Sequence, residues 1–116
     1  MAKVSTCLVP DIAVLELGQA FRDGAAKYGP YNWRTDPVKT TVYLDAIARH
    51  LALYKAGQDR ASDSNVHHLT SVMSGCAILL DAALNGTLQD DRYKMENPEL
   101  LEQALEEFKK ANENED

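Results

Sequence analysis

The sequence predicts a small all-α domain of four helices whose packing is completed by homo-oligomerisation. Apolar residues recur at helical spacing in four segments, and each segment is bounded by residues that start or stop helices. No segment shows the alternation of a half-buried strand, so no β structure is expected. A chain of 116 residues supports one domain with a modest core, which partner subunits are expected to complete.

The first two helices have clear boundaries. Pro10 suits the first turn of the first helix. Gly29-Pro30 ends that helix, because glycine accepts a left-handed cap and proline cannot continue a helix. The second helix is expected over residues 38–56, and Gly57 stops it. Four of its apolar residues recur at helical spacing and are predicted to face inward: Leu44, Ile47, Leu51 and Tyr54.

The third helix has two different faces. It is expected over residues 66–85, with Asp63 or Ser64 as its N-cap and Gly86 as its stop. Six residues form the face that is predicted to be buried: Leu69, Val72, Met73, Cys76, Leu80 and Ala83. The opposite face carries small and polar residues: His67, Ser71, Ser74 and Asp81. This combination is typical of a helix that is packed on both sides.

The last helix is predicted to be an outer or subunit-bridging helix. Asn97-Pro98-Glu99 supplies an N-cap, a proline at the first helical position and an early acid. Its narrow apolar stripe consists of Leu101, Ala104, Leu105 and Phe108. Most of its other positions are acidic.

The net charge of −6 comes entirely from the C-terminal end. Residues 1–94 hold ten acidic and ten basic residues, whereas residues 95–116 hold eight acids and two lysines. We therefore divide the chain into a helical domain, 1–94, and an acidic C-terminal helix with a frayed tail, 95–116. A neutral body with an acidic tail offers no basic surface for a nucleic acid polymer.

The remaining totals point to a cytoplasmic protein. No apolar run is long enough to cross a membrane, and the start of the chain lacks the apolar core of a signal peptide. Cys7 and Cys76 lie far apart without metal-like spacing, so we expect reduced thiols rather than a disulfide.

Titratable residues crowd around the turn between the second and third helices. All the histidines of the chain lie here: His50, His67 and His68. The carboxylates that could converge on one Mg²⁺ are Asp59, Asp63 and Asp81. A histidine could take a proton from an attacking water. Three basic residues could offset phosphate charge: Lys27, Arg34 and Arg49. This picture suits metal-assisted phosphoanhydride hydrolysis, and the alternative is a capped helix hairpin with histidines at the core edge.

The loop after the first helix carries the only tryptophan of the chain. Trp33 could stack on a base while Asn32 reads the edge of that base. Trp33 could equally plug the ends of the helices, and the residues alone leave both interpretations open.

Two ordered motifs resemble those of a known family. Residues 24–34 read Gly-Ala-Ala-Lys-Tyr-Gly-Pro-Tyr-Asn-Trp-Arg, which resembles the signature GAxKYGxxNWR of the dATP/dGTP diphosphohydrolase N-terminal domain family. Residues 49–92, from Arg49-His50-Leu51 through His67-His68-Leu69 to Asp90-Asp91-Arg92, match its later motifs in order and with similar gaps. The resemblance covers about residues 8–92.

The resemblance implies a fold and a reaction. The fold would be similar to that of MazG-type nucleotide pyrophosphohydrolases, which are usually oligomers, and the family occurs largely in phages. The reaction would convert a purine deoxynucleoside triphosphate to the monophosphate and pyrophosphate with Mg²⁺ or Mn²⁺. By match to the motifs, Lys27, Asn32 and Trp33 would belong to substrate binding. The reacting or metal centre would comprise Arg49, His50, Asp63, His67, His68 and Asp81. The residues themselves add Arg34 and Arg49 to the predicted substrate-binding set and Asp59 to the predicted metal ligands.

Three positions depart from the family pattern. Gln58 stands where many relatives carry glutamate, Ser71 where they often carry histidine, and Asn65 where they often carry glycine. The first change removes a possible metal ligand and the second removes a possible base. The alternative function is therefore a catalytically silent nucleotide-binding protein, such as a phage counter-defence sponge for signalling nucleotides.

Overall fold

The structure, a computed structural model that describes residues 3–113, contains four α-helices. They are α1 (Asp11–Tyr28), α2 (Thr40–Lys55), α3 (His68–Asn85) and α4 (Glu99–Asn112). Single 3-10 turns occupy Thr6–Leu8 and Asn32–Arg34. This architecture confirms the small all-α domain of four helices that the sequence predicts.

Helix α3 is the element on which α1 and α2 both pack. The side of α2 lies against buried Gly75, where a Cβ atom would come within 3.1 Å of Ile47 Cγ1. On the other side, Thr70 Oγ1 donates to Glu16 Oε2 of α1 at 3.2 Å. Helices α1 and α2 pack on α3 rather than on each other. A cleft therefore remains between α1 and α2, with α3 as its floor.

A small parallel sheet shows that the expectation of no β structure is wrong. Strand β1 (Val38–Lys39) pairs with β2 (Leu88–Gln89), with Val38 opposite Leu88. Two residues are too few to produce an alternating pattern, so the sequence carries no strand signal. Helix α2 consequently begins at Thr40, two residues later than predicted.

A carboxylate secures the start of α2 beside this sheet. Asp91 accepts hydrogen bonds from the backbone N–H of Thr41 at 2.8 Å and from its hydroxyl at 2.7 Å. These two hydrogen bonds lower the pKa of Asp91. Acceptance of a free N–H in the first turn is the capping role that a carboxylate fills at a helix start. The segment after α3 is thereby fastened to the N-terminus of α2.

The start of α3 also differs from the prediction. The helix begins at His68, and its N-cap is His67, whose Nδ1 accepts from the Leu69 N–H at 3.0 Å. Neither Asp63 nor Ser64 caps it, because the chain first turns back on itself. In that turn Asn65 N–H bonds to Ala61 O at 2.9 Å. Asn65 has φ 59°, in the left-handed region that glycine enters freely and asparagine tolerates.

The predicted inward faces of α2 and α3 are largely open to solvent, which corrects the sequence interpretation. On α3, Leu80 is 75% exposed, and Leu69, Cys76 and Ala83 are also exposed. On α2, only Ile47 of the predicted inward residues is partly buried. The buried positions of α3 are instead His68, Thr70, Gly75 and Ala82. Small residues let neighbouring helices approach closely, so the small polar side of α3 faces its own chain.

Two further expectations concern the whole chain. Across residues 3–113, no helix is both long enough and apolar enough to cross a membrane. Cys7 and Cys76 are free and exposed, as predicted for thiols that form no disulfide.

We predict that Gly75→Val lowers the free energy of unfolding by about 1–3 kcal/mol, the usual cost of overpacking. The added side chain would collide with Ile47, which already lies against Gly75. Urea unfolding at a fixed protein concentration measures the change. Gly18→Ala is the matched control, because a Cβ at Gly18 meets nothing within 4 Å. The control is expected to raise stability by about 0.5–1 kcal/mol, and an equal rise in Gly75→Val would contradict the packing account.

Candidate functional site

The candidate site is the cleft between α1 and α2, which encloses about 1050 Å³. This volume is at the upper end of the range of small-molecule sites. The floor is the small polar side of α3, where Ser71 and Ser74 leave room for a ligand. The loop after α1 closes one part of the cleft, and Asp63 and Ser64 lie at its edge. The polar face that the sequence singled out is therefore the lining of a cavity.

A hydrogen-bonded chain of three side chains runs from His50 in the cleft through buried His68 to exposed Gln58. His50 Nδ1 lies 2.8 Å from His68 Nδ1, and His68 Nε2 lies 2.6 Å from Gln58 Oε1. An amide oxygen only accepts hydrogen bonds, so His68 carries its proton on Nε2. His68 Nδ1 then accepts the proton that His50 carries on Nδ1. The remaining nitrogen of His50, Nε2, is unprotonated and available to a ligand in the cleft that His50 lines.

The surroundings of His50 keep it neutral. Partial burial lowers the pKa of His50 from its ordinary value of 6.5, and the neighbouring His68 and Arg49 lower it further. Asp63 acts in the opposite direction but does not outweigh them. A neutral imidazole with a free Nε2 can accept a proton at pH 7.

His68 and Gln58 act behind His50 rather than in the cleft. His68 is only 1% exposed, and it is held by its two hydrogen bonds. Gln58 accepts one of them and so fixes the tautomer of the pair. The sequence interpretation treated Gln58 as a lost metal ligand and missed this role, because nothing in the spacing of Gln58 and His68 signals their contact.

His67 is separated from the other two histidines. It caps α3, and its ring lies 5.6 Å from the ring of Tyr54. It is not among the residues that line the cleft. The structure therefore brings together two of the three predicted catalytic histidines.

Trp33 and Arg34 converge on Asp81 near the opposite end of α3. Trp33 Nε1 donates to Asp81 Oδ2 at 2.6 Å, and Arg34 Nε donates to the same oxygen at 2.8 Å. The hydrogen bonds from Arg34 and then from Trp33 lower the pKa of Asp81. The Trp33 ring lies 5.3 Å from that of Phe21 and 5.5 Å from that of Tyr31. Trp33 thus fastens the loop to α3 while one side of it lines the cleft.

The three predicted metal ligands do not come together within one chain. Asp81 lies 13 positions after His68 on α3, which corresponds to about 20 Å along the helix axis. Asp59 is exposed and lies outside the cleft lining, whereas Asp63 is part of it. Among residues 3–113, no three His, Cys, Asp or Glu side chains are arranged to hold a metal ion.

The remaining predicted substrate residues divide between the cleft and the surface. Lys27 and Asn32 line the cleft, and Lys27 pairs with Asp23 at 3.0 Å. The hydrogen bond to Asp23 raises the pKa of Lys27. Arg49 is exposed and does not line the cleft, although its charge acts on His50. Tyr43, which lines the cleft from α2, was not singled out from the sequence because it lies outside both motifs.

Comparison with known proteins gives one match. Residues 1–92 match the family described as dATP/dGTP diphosphohydrolase, N-terminal. This confirms the resemblance, and both motifs and every cleft residue named above lie within the matched region. No curated protein and no solved structure matches the chain.

We predict that Asp81→Ala shifts the fluorescence of Trp33 to longer wavelength and lowers the melting temperature. The loop would lose the three hydrogen bonds that Trp33 and Arg34 donate to the Asp81 carboxylate on α3. Because Trp33 is the only tryptophan, its emission reports this loop alone. Asp45→Ala is the control, since Asp45 is exposed on α2 and forms no ion pair within residues 3–113.

The contact of Asp81 with Trp33 and Arg34 is expected to weaken in acid. Because the pKa of Asp81 is lowered from 3.8 in the folded chain, its stabilising effect is complete above pH 3.8. The effect is lost as the pH falls through the lowered pKa. Equal spectra for Asp81→Ala and Asp45→Ala would contradict the anchoring role.

Proposed function

The chain belongs to the dATP/dGTP diphosphohydrolase N-terminal family, and from that premise we propose that it hydrolyses a purine deoxynucleoside triphosphate bound in the cleft. The products would be the monophosphate and pyrophosphate. The observation that carries the proposal is the hydrogen-bonded chain from Gln58 through His68 to His50, which ends on a cavity of suitable volume.

His50 would act as the general base. Its Nε2 would take a proton from a water molecule that attacks one of the two phosphorus atoms of the α–β bridge. A bond forms between the water oxygen and that phosphorus, and the bond to the bridging oxygen breaks. The resulting imidazolium still donates from Nδ1 to His68 Nδ1, and this hydrogen bond stabilises the added charge. The proton then leaves to solvent.

The two ends of the cleft suit different parts of the nucleotide. The aromatic residues Tyr28, Tyr31 and Trp33 line the part next to the loop, where a purine would stack. The triphosphate would extend towards His50, and Lys27 would offset part of its charge. Arg34 donates two hydrogen bonds to Asp81, whereas Lys27 makes a single exposed contact with Asp23, so we assign Arg34 to positioning of the loop.

The dependence on Mg²⁺ or Mn²⁺ rests on the family and not on a ligand set in this chain. Of the three predicted ligands, Asp81 is occupied by Trp33 and Arg34, and Asp59 lies outside the cleft. Asp63 alone remains, and one carboxylate does not make a metal site. We expect EDTA to stop hydrolysis, and the nucleotide-induced rise in melting temperature then shows whether binding persists without metal.

The same observation favours a second candidate function. A cleft of nucleotide size, with no carboxylate cluster among residues 3–113 to hold a metal ion, suits a protein that binds a nucleotide and does not turn it over. Incubation with each dNTP and NTP, with products resolved by chromatography, separates the two functions. Monophosphate and pyrophosphate from a purine dNTP support hydrolysis, whereas intact nucleotide recovered from denatured protein supports the binder.

We predict that His50→Gln lowers the rate of hydrolysis by about 10²-fold or more, the usual contribution of a general base. Glutamine keeps a polar side chain at this position but cannot take the proton. Lys55→Gln, on the exposed end of the same helix, is the control and should retain the wild-type rate. A fully active His50→Gln variant would remove the base from the mechanism.

We predict that the acid limb of the kcat/KM profile of the wild type lies below pH 6.5. The pKa of His50 is lowered, so the base stays unprotonated to more acidic pH. Gln58→Glu is expected to move the limb to higher pH, because a carboxylate next to His68 favours the charged form of the pair. Gln19→Glu places the same charge on an exposed position of α1 and should leave the profile unchanged.

The free energy of unfolding is also expected to fall in acid because of His50. A lowered histidine pKa means that the unfolded chain takes up the proton first, so stability falls as the pH drops below 6.5. A wild-type acid limb above pH 6.5 would show that His50 is not the titrating base.

A further inference from the structure

The single chain exposes far more surface than a compact protein of its size. Its accessible surface is 9369 Å² for 12.8 kDa, where a compact fold would expose about 6300 Å². The radius of gyration is 17.4 Å, compared with about 13 Å for a compact chain of this length. In a pair of chains, an excess of about 3000 Å² on each lies at the upper end of what obligate protein–protein interfaces bury in total.

Helix α4 contributes much of this exposed surface. Its stripe of Leu101, Leu105 and Phe108 is 57%, 62% and 68% exposed. Among the elements of residues 3–113, none makes an extensive packing contact with α4. An isolated helix of 14 residues is only marginally stable in water. The apolar stripe therefore needs a partner surface.

A matching surface lies on the side of α2 and α3 that faces away from the cleft. It is a shallow groove of about 290 Å³, whose apolar lining is Leu44, Leu79, Leu80, Ala83 and Leu88. Leu84, one turn beyond Leu80, is 84% exposed beside it. A groove of this kind accepts an amphipathic helix through side chains spaced at i, i+4 and i+7, which is the spacing of Leu101, Leu105 and Phe108.

We propose that α4 of one copy lies in the α2–α3 groove of a second copy, and that α4 of the second copy lies in the groove of the first. Within residues 3–113 of one chain, both the stripe and the groove are uncovered, and a twofold pair covers the stripe and the groove of each copy. Residues 90–98 between β2 and α4 can span up to about 30 Å when extended. The proposal does not depend on the proposed reaction.

The charges of the chain permit a second copy as the partner. Residues 95–116 are acidic, whereas residues 1–94 carry no net charge. The acidic helix would therefore meet a neutral body, while its own apolar stripe supplies the attraction. Lysines at positions 109 and 110 balance part of the charge at the far end of the helix.

Size-exclusion chromatography with light scattering tests the proposal on the full chain. The wild type should have at least twice the mass of one chain, and Leu105→Glu should reduce the mass to that of a single chain. Gln103→Glu is the control, because it adds the same charge on the side of α4 opposite the stripe. A monomeric wild type, or an unchanged mass for Leu105→Glu, would overturn the proposal.

Cross-linking between distinguishable chains keeps the test decisive if Leu105→Glu fails to fold. Cys76 is exposed one turn before Leu80 on α3 and provides one site. The tagged chain lacks both native cysteines (Cys7→Ser and Cys76→Ser) and carries one new cysteine on α4, either Leu101→Cys or Phe108→Cys. It is mixed with an untagged chain that carries only Cys7→Ser and so keeps Cys76. A bis-maleimide should join the tagged to the untagged chain at one or both positions.

Two outcomes of the cross-linking would contradict the assignment. A mixed dimer absent at both positions would place another surface against the groove. A third chain keeps Cys76 and carries the α4 cysteine, and a cross-link found only within that chain would show that α4 folds onto its own body.

Discussion

The close approach of α2 to α3 at Gly75 fixes the separation of these two helices, and the histidine pair and the cleft both depend on that separation. Ile47 lies against Gly75, and one turn further along α2, His50 reaches His68 at hydrogen-bond distance. A side chain at Gly75 would push α2 outward and separate the two imidazoles. Because α1 and α2 meet α3 rather than each other, the same packing also leaves the cleft open. One contact between helices therefore governs both the tautomer of His50 and the shape of the cavity.

Local signals in the sequence determine most of the helix boundaries. Gly29, Gly57 and Gly86 all adopt positive φ, as expected for glycines that end helices. The start of α4 lies one residue later than predicted, with Pro98 rather than Asn97 as its N-cap. The two boundaries that differ by two residues, at the starts of α2 and α3, depend on partners distant in sequence. Val38 pairs with Leu88, and residues 61–66 close a turn that moves the cap to His67. No local pattern can reveal such partners.

The assignment of the buried faces failed for a different reason. Periodicity identifies an apolar face but not the molecule that covers it. For α3, the apolar face is exposed in the single chain, and the small polar face lies inside with Gly75 and Thr70 buried. The candidate site was likewise predicted only in part. The motifs located Trp33, His50 and His68, but the contact of Trp33 with Asp81 spans 48 positions and was not visible in the sequence.

Helix α3 lines the cleft with one face and the proposed groove with the other. A helix that forms part of two sites transmits any displacement from one to the other, since packed interiors do not deform freely. If paired chains hold α3 in the form that binds nucleotide, occupancy of the cleft and self-association are thermodynamically linked. Nucleotide affinity would then rise with the concentration of the protein itself. The amount of protein in the cell would thus set the threshold at which it begins to draw on the nucleotide pool.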